Sequence, residues 1–205
     1  MLLGVIYKLI DVPKDPRNNT ATLVTSPFDG GMRIHFRQVK QSDMNKFFIW
    51  YERIGGAELF SILIPSTFVS FEESNDILWF IIMDDYDEIG TIWFEREDLN
   101  KVSYVLGIYL NRIDLFGKGI GRRVIKSAMD TILSGKDVKA LYLDVRKENI
   151  CAIRCYEKLG FKAIYEGEKV TSSGKIKFQR MQLLPTERDH RTRRLTRRRE
   201  NRSFS

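Results

Sequence analysis

Between Tyr104 and Phe161 the chain passes from an apolar β-type run into a glycine-dense turn and an amphipathic stretch, then a second β-type run and a second helical stretch. The segment reads YVLGIYLNRIDLFGKGIGRRVIKSAMDTILSGKDVKALYLDVRKENICAIRCYEKLGF. That order forces a strand–helix–strand–helix unit, which buries its apolar surfaces only by laying the helices on the faces of one sheet. Gly117, Gly119 and Gly121 fall where the first helix starts. Bare backbone N–H groups meet there, and the helix N-terminus adds roughly half a positive charge. Residues 116–121 are therefore where a phosphorylated cofactor would dock.

Three phosphate motifs compete for this turn. A Walker A loop needs Gly-Lys followed by Ser or Thr, which the chain lacks. A dinucleotide fingerprint needs G-x-G-x-x-G directly after a strand, within repeated βαβ units. Here the spacing is G-x-G-x-G, the apolar run ends at Leu110, and the upstream segments are β-type. Asp144 does lie near the distance of a ribose partner.

The third motif fits best. Gly119 and Gly121 supply the two small positions of [QR]-x-x-G-x-[GA], and downstream comes Asn149-x-x-Ala152-x-x-x-Tyr156-x-x-x-Gly160-Phe161. Both blocks, in this order and spacing, resemble the GNAT superfamily of acyl-CoA-dependent N-acyltransferases. Phe116 stands where Gln or Arg is expected. An aromatic there is familiar in the branch resembling ribosomal-protein (alanine) and amino-sugar N-acetyltransferases.

At 205 residues the chain suits one domain with a full core plus extensions. Residues 1–31 hold β-type runs at Val5–Val12 and Thr20–Thr25 around a Pro/Asp/Asn turn. Arg33–Gln38 reads as a strand, and Ser42 as the cap of a helix reaching Gly55. Ile77–Met83 and Glu88–Glu95 read as a hairpin, Tyr104–Leu110 as a strand and Ile120–Leu133 as a helix. Ala140–Val145 follows as a strand, Ile150–Leu159 as a helix, and Phe161–Glu166 with Lys175–Leu184 as an antiparallel pair. The fold class is α/β (α+β): a single mixed, mostly antiparallel sheet flanked by helices, as the resemblance also implies. The division is a β extension over 1–31, the acetyltransferase-like domain over 32–186, and an Arg-rich tail over 187–205. The extra hairpin at the N-terminus could cover a sheet edge or pair with a second copy in a homodimer.

No stretch approaches the ~18 to 20 apolar residues needed to cross a bilayer. The opening MLLGVIYKLIDV is broken by Lys8 and lacks a basic start and a cleavage site, so it reads as a strand. Cys151 and Cys155 lie four apart on one expected helix, a poor geometry for a disulfide. No neighbouring His or Cys completes a zinc set, so both read as small core residues in a reducing, cytoplasmic setting. The net charge of +7 sits almost wholly in Arg188–Arg202, where eight Arg face Asp189 and Glu200. A nearly neutral body argues against a globular nucleic-acid-binding face, whereas the tail could hold RNA or ribosome phosphates by charge alone. The favoured reading is a solvated extension, or a helix packing on a partner subunit.

The resemblance implies acetyl-CoA as donor and a primary amine, on a small molecule or a peptide end, as acceptor. It implies that Tyr104–Leu110 parts from Ala140–Val145 at the C-terminal ends. Main-chain groups of Ile108, Tyr109 and Leu110 would then bind the pantetheine arm. Phe116, Gly117, Lys118, Gly119, Ile120 and Gly121 would hold the pyrophosphate, with Arg122 and Arg123 reading as a solvated helix face. Gly107 suits a close approach, or is simply tolerated in a strand. Tyr156 would be the general acid on the leaving sulfur, against the alternative of a packed aromatic. Asn149 would cap its helix and also reach the cofactor arm. Asp144 is the candidate base, or merely the polar side of its strand. His35 looks structural. The acceptor would meet Trp50–Asn75, an apolar stretch followed by Glu72, Glu73 and Asp76. Two non-enzymatic readings stand beside this one: an acyl-CoA-binding module without turnover, and a protein working through its Arg-rich tail.

Overall fold

The computed structural model describes residues 22–24, 32–55, 62–71, 76–98, 101–132, 138–171 and 174–184. One sheet of eight strands organises them: β1 (Thr22–Val24), β2 (Ile34–Gln38), β3 (Ile77–Asp84), β4 (Asp87–Asp98), β5 (Lys101–Leu110), β6 (Ala140–Arg146), β7 (Lys162–Thr171) and β8 (Gly174–Leu183). The spatial order is β1-β2-β3-β4-β5-β6-β8-β7, and only β5 with β6 is parallel. Among the described residues three α-helices accompany it, α1 (Met44–Arg53), α2 (Ile120–Ile132) and α3 (Ile150–Lys158). The expected mixed, mostly antiparallel sheet is what the chain forms. The run Val5–Val12, its following turn, Glu72, Glu73 and the Arg-rich tail lie outside the described residues.

Strand alternation sorts the core onto two faces. Phe36, Phe80, Ile82, Ile92, Phe94, Leu106, Leu141, Leu143 and Val145 point to one face, where Val124, Ile125 and Ala128 of α2 and the apolar side of α3 cover them. Ile81, Trp79, Trp93 and Tyr109 point to the other, under Phe47 and Trp50 of α1. Phe47 stacks on Trp79 at 4.8 Å, and Phe68 meets the same indole edge-on at 5.3 Å. The apolar stretch after α1 is thus partly spent on packing: Leu63, Ile64, Phe68 and Phe71 seal this second core. Among the described residues no helix is long and apolar enough to cross a membrane.

The entry to α1 departs from expectation. A 3-10 turn, Gln41–Asp43, precedes the helix, and Ser42 is exposed. Asp43 rather than Ser42 closes the turn, accepting from the Lys40 main-chain N–H at 2.8 Å. The same carboxylate takes both Arg37 Nη atoms at 2.8 and 3.0 Å and lies 3.1 Å from Lys46 Nζ. Arg37 and Lys46 in turn share Glu88 of β4 at 2.6 and 2.9 Å. Two carboxylates and two cations therefore bolt α1 to β2 and β4. Asp43 is buried, yet every neighbour favours its charged form. Desolvation alone would raise its pKa; the hydrogen bonds from Arg37, Lys40 and Lys46 outweigh it and hold the carboxyl at about 2.

A carboxyl held below its unfolded value stabilises the fold above that value and loses the contribution as it protonates. Denaturant titrations should therefore show stability falling between about pH 4 and pH 2, with Asp43→Asn costing about 2 kcal/mol at pH 7 and flattening that acid limb. An Asp43→Asn protein with the wild-type acid profile would show that the network contributes nothing.

Candidate active site

Pairing between β5 and β6 covers only Ser103↔Ala140, Tyr104↔Leu141 and Val105↔Tyr142. Beyond that point β5 continues to Leu110 against β4, and β6 to Arg146 against β8. The direction of the main-chain groups can be followed along each strand. Lys139 N–H donates to Val102 O, so even-numbered residues of β5 face β6; Asn111 N–H donates to Ile89 O, so odd-numbered ones face β4. On β6, Lys147 N–H donates to Lys177 O, which turns the even-numbered residues toward β5. The gap is accordingly lined by main-chain groups of Ile108 and Leu110 on one side and Asp144 on the other. Asp144 fits this placement: the residue as a whole is exposed while its side chain is only 23% exposed, so the exposure lies in its main chain. Tyr109 does not join this lining. Its main chain faces β4, its carbonyl lying against Gly90, and its buried ring packs edge-on to Trp93.

The glycine turn stands after the same end of β5, joined to it by Asn111 and a 3-10 turn at Ile113–Leu115. Asn111 fixes the strand end, donating through Nδ2 to Glu88 O at 2.8 Å. Gly117 and Gly119 both take positive φ, 71° and 78°, which a side chain would strain. Alternating them with Lys118 aims successive amides outward before α2 begins. Among the described residues the N–H groups of Gly117 through Arg122 have no hydrogen-bond partner, and a Cβ at Gly117, Gly119 or Gly121 would meet nothing within 4 Å. Phe116 is a correction: its N–H is committed to Ile113 O at 2.9 Å, and its side chain packs on the core. Arg123 turns to Met32 O at 3.2 Å, and Arg122 is exposed. The turn has the shape and donors that a pyrophosphate needs.

Asn149 caps α3, its Oδ1 accepting from Ala152 N–H at 3.1 Å. About two turns on, Tyr156 packs against the α2 side of the core with Phe161 at 6.0 Å. Burial pushes its phenol upward, so it carries its proton at neutral pH. Asp144 projects from the opposite face of β6, with Lys169 Nζ at 3.8 Å. Tyr156 and Asp144 are thus on opposite faces, with the open end of the β5/β6 pair between them. Gly107 has a packing role: a Cβ there would lie 2.1 Å from the Trp93 ring, which crosses it from β4. Cys151 is exposed and Cys155 half-buried, both free, so the reading of two core thiols holds for neither fully. His35 sits half-buried on β2 between Val24 and Met83, as a structural residue would.

Sequence reasoning missed a group on the α1 face. Burial pushes the Tyr51 phenol up while the Arg146 charge pulls it down, and the Tyr51 phenol in turn helps burial raise Tyr109. Tyr51 of α1 is therefore within electrostatic reach of Arg146 on β6 and of Tyr109 on β5. Its only sequence signal was its place in an aromatic stripe.

The family model described as Acetyltransferase (GNAT) family matches residues 38–161. The chain is 31% identical over 85 residues to an aminoglycoside N(6')-acetyltransferase type 1 of Klebsiella pneumoniae, covering 42% of this chain and 41% of that one. It is 28% identical over 96 residues to a probable spermine N(1)-acetyltransferase of Bacillus subtilis subsp. natto, covering 43% and 55%. The matches thus span about half the length of these curated relatives or less. Among solved structures, an aminoglycoside acetyltransferase in complex with coenzyme A superposes with a TM-score of 0.58 at 20% identity, covering 78% of this chain and 99% of that one.

The alternation at the gap has a direct readout in amide hydrogen exchange. Ile108 and Leu110 should exchange at least about 100-fold faster than Tyr109 and Asn111, whose amides face β4. Equal protection along the whole strand would mean that β5 and β6 stay paired in solution.

Proposed function

The chain belongs to the GNAT acetyltransferase family, and from that premise we propose that it moves an acetyl group from acetyl-CoA to a primary amine by direct attack in a ternary complex. One observation carries this: an unpaired strand edge at Ile108 and Leu110 and a run of uncommitted amides from Gly117 to Gly121 follow one another at the same end of the sheet. Acetyl-CoA, when bound, supplies a thioester carbonyl activated toward an uncharged amine.

Ile108 and Leu110 hold the pantetheine arm as an added strand would be held, and a main-chain N–H at this edge polarises the thioester oxygen. Gly117 to Gly121 bind the pyrophosphate, with Lys118, exposed beside them, adding charge. Tyr156 hydrogen-bonds to the sulfur and gives it a proton as the C–S bond breaks. Asp144 receives, directly or through water, the proton that the amine sheds as its C–N bond forms. The two proton movements balance, and the tyrosine recovers its proton from solvent. The relatives' names, an aminoglycoside and a spermine acetyltransferase, support a small amine ahead of a ribosomal peptide end as the acceptor.

Calorimetric titration with acetyl-CoA should give micromolar affinity, abolished in Gly119→Glu. Tyr156→Phe should bind with little change and turn over about 100-fold or more slowly. Absence of binding by folded wild-type protein would overturn the proposal, as would full turnover by Tyr156→Phe for the assigned acid.

A further inference from the structure

Two carboxyl groups are buried among the described residues, Asp43 and Glu95. Arg37 and Lys46 meet the first, whereas every partner of Glu95 among those residues is neutral. The Ser66 hydroxyl donates to its Oε2 at 2.8 Å, and the Thr67 main-chain N–H to its Oε1 at 3.4 Å. Its neighbours Glu97, Asp76 and Asp144 each have a cation, in Arg180, Arg96 and Lys169. A buried carboxyl with neutral partners stabilises a fold no better than an apolar side chain of similar size. What its two oxygens do supply is direction. They hold the turn 65–68, closed by Phe68 N–H donating to Pro65 O at 3.2 Å, with Ser66 and Thr67 exposed above the strand.

Strand register sets where that turn stands. Glu95 is opposite Val105, and Val105 is opposite Tyr142, the last pair before β5 and β6 part. Trp93, two residues along β4 on the same face, lies over Gly107, and Ile108 beyond it begins the lining of the gap. Asp144 is two residues beyond Tyr142, so its side chain leaves β6 on that face too. Phe68 and Phe71 tie the segment 62–71 to Trp79 on β3, one strand farther from the gap, and Glu95 ties it to β4, the strand beside β5. Resting on the transfer reading above, we propose that Glu95 is a positioning residue for the acceptor. Through Ser66 and Thr67 it sets the turn 65–68 as the lip of the gap, on the face where Asp144 receives the amine's proton. The carboxyl touches neither substrate; it fixes the wall against which the amine is aligned.

The test uses full-length protein saturated with acetyl-CoA, with spermidine, kanamycin and glycinamide as acceptors. Glu95→Leu fills the site with an apolar side chain of similar size, so its thermal midpoint should stay within about 3 °C of wild type. For whichever amine is acetylated, its KM should rise about tenfold or more, while kcat changes less than about twofold and the acetyl-CoA Kd is retained. Glu95→Gln, which keeps an oxygen for the Ser66 hydroxyl, should recover most of that KM. Ser66→Ala, on an exposed residue, should raise KM by itself and add nothing further when combined with Glu95→Leu. The hold is also read with no acceptor present: the Phe68 amide should exchange about tenfold faster in Glu95→Leu than in wild type. An unchanged KM in Glu95→Leu or Ser66→Ala, a loss of kcat or acetyl-CoA affinity as large as the rise in KM, or unchanged Phe68 exchange would each overturn the assignment. Failure of wild-type protein to bind acetyl-CoA would instead overturn the transfer reading beneath it, and the Phe68 exchange then decides by itself whether Glu95 holds the turn.

Discussion

Everything at the candidate site depends on one backbone event, the loss of pairing between β5 and β6 after Val105 and Tyr142. Each strand is held from outside: β5 by β4 as far as Leu110, β6 by β8 as far as Arg146. Once β5 commits to one neighbour and β6 to the other, the twist of the sheet carries them apart. Asn111, buried and bonded through both its main chain and its side chain to β4, anchors the diverging end. The packing of Trp93 over Gly107 keeps β4 and β5 close along the same stretch. The gap is thus built by the contacts on either side of it.

In the proposed reaction, a gap through the sheet lets Tyr156 and Asp144 act from opposite faces. In a continuous sheet the backbone would separate them. Here the strand that carries Asp144 forms one wall of the opening, and α3, which carries Tyr156, packs beneath it with α2. The donor's sulfur and the acceptor's amine lie on opposite sides of the carbonyl carbon they exchange. Acid and base on opposite faces suit that geometry. In the proposed reaction the uncommitted amides before α2 belong to the donor side.

Much of this was legible because it rests on local chemistry. Glycines before an amphipathic run, and an Asn-to-Tyr spacing on the next helix, are short-range signals that survive without tertiary context. The sheet followed from period-two patterning, although β7 extends to Thr171, five residues beyond its apolar run, because hairpin pairing with β8 carries polar residues along. The misses are all cases where a partner distant in sequence decides. Ser42 looked like a cap, but Arg37 and Glu88 draw Asp43 into that task. Tyr109 looked equivalent to its neighbours until β4 fixed which way its main chain points. Phe116 lost its amide to a 3-10 turn.

The energetics of the open edge also bear on what binding can achieve. Unpaired N–H and C=O groups in a dry interior would cost several kcal/mol each, and a fold so marginal could not carry them unsatisfied. At Ile108, half-buried, and at the exposed main chain of Asp144, water can reach the strand edges and satisfy them in the free protein. A bound pantetheine arm then exchanges water for amide partners at little net gain per bond. On the proposed reading, affinity for the donor comes chiefly from the glycine turn, where charge would meet a pre-arranged set of amides and a helix end. In the proposed reaction the strand edge contributes something else, a fixed direction for the thioester between the face of Asp144 and the face of Tyr156.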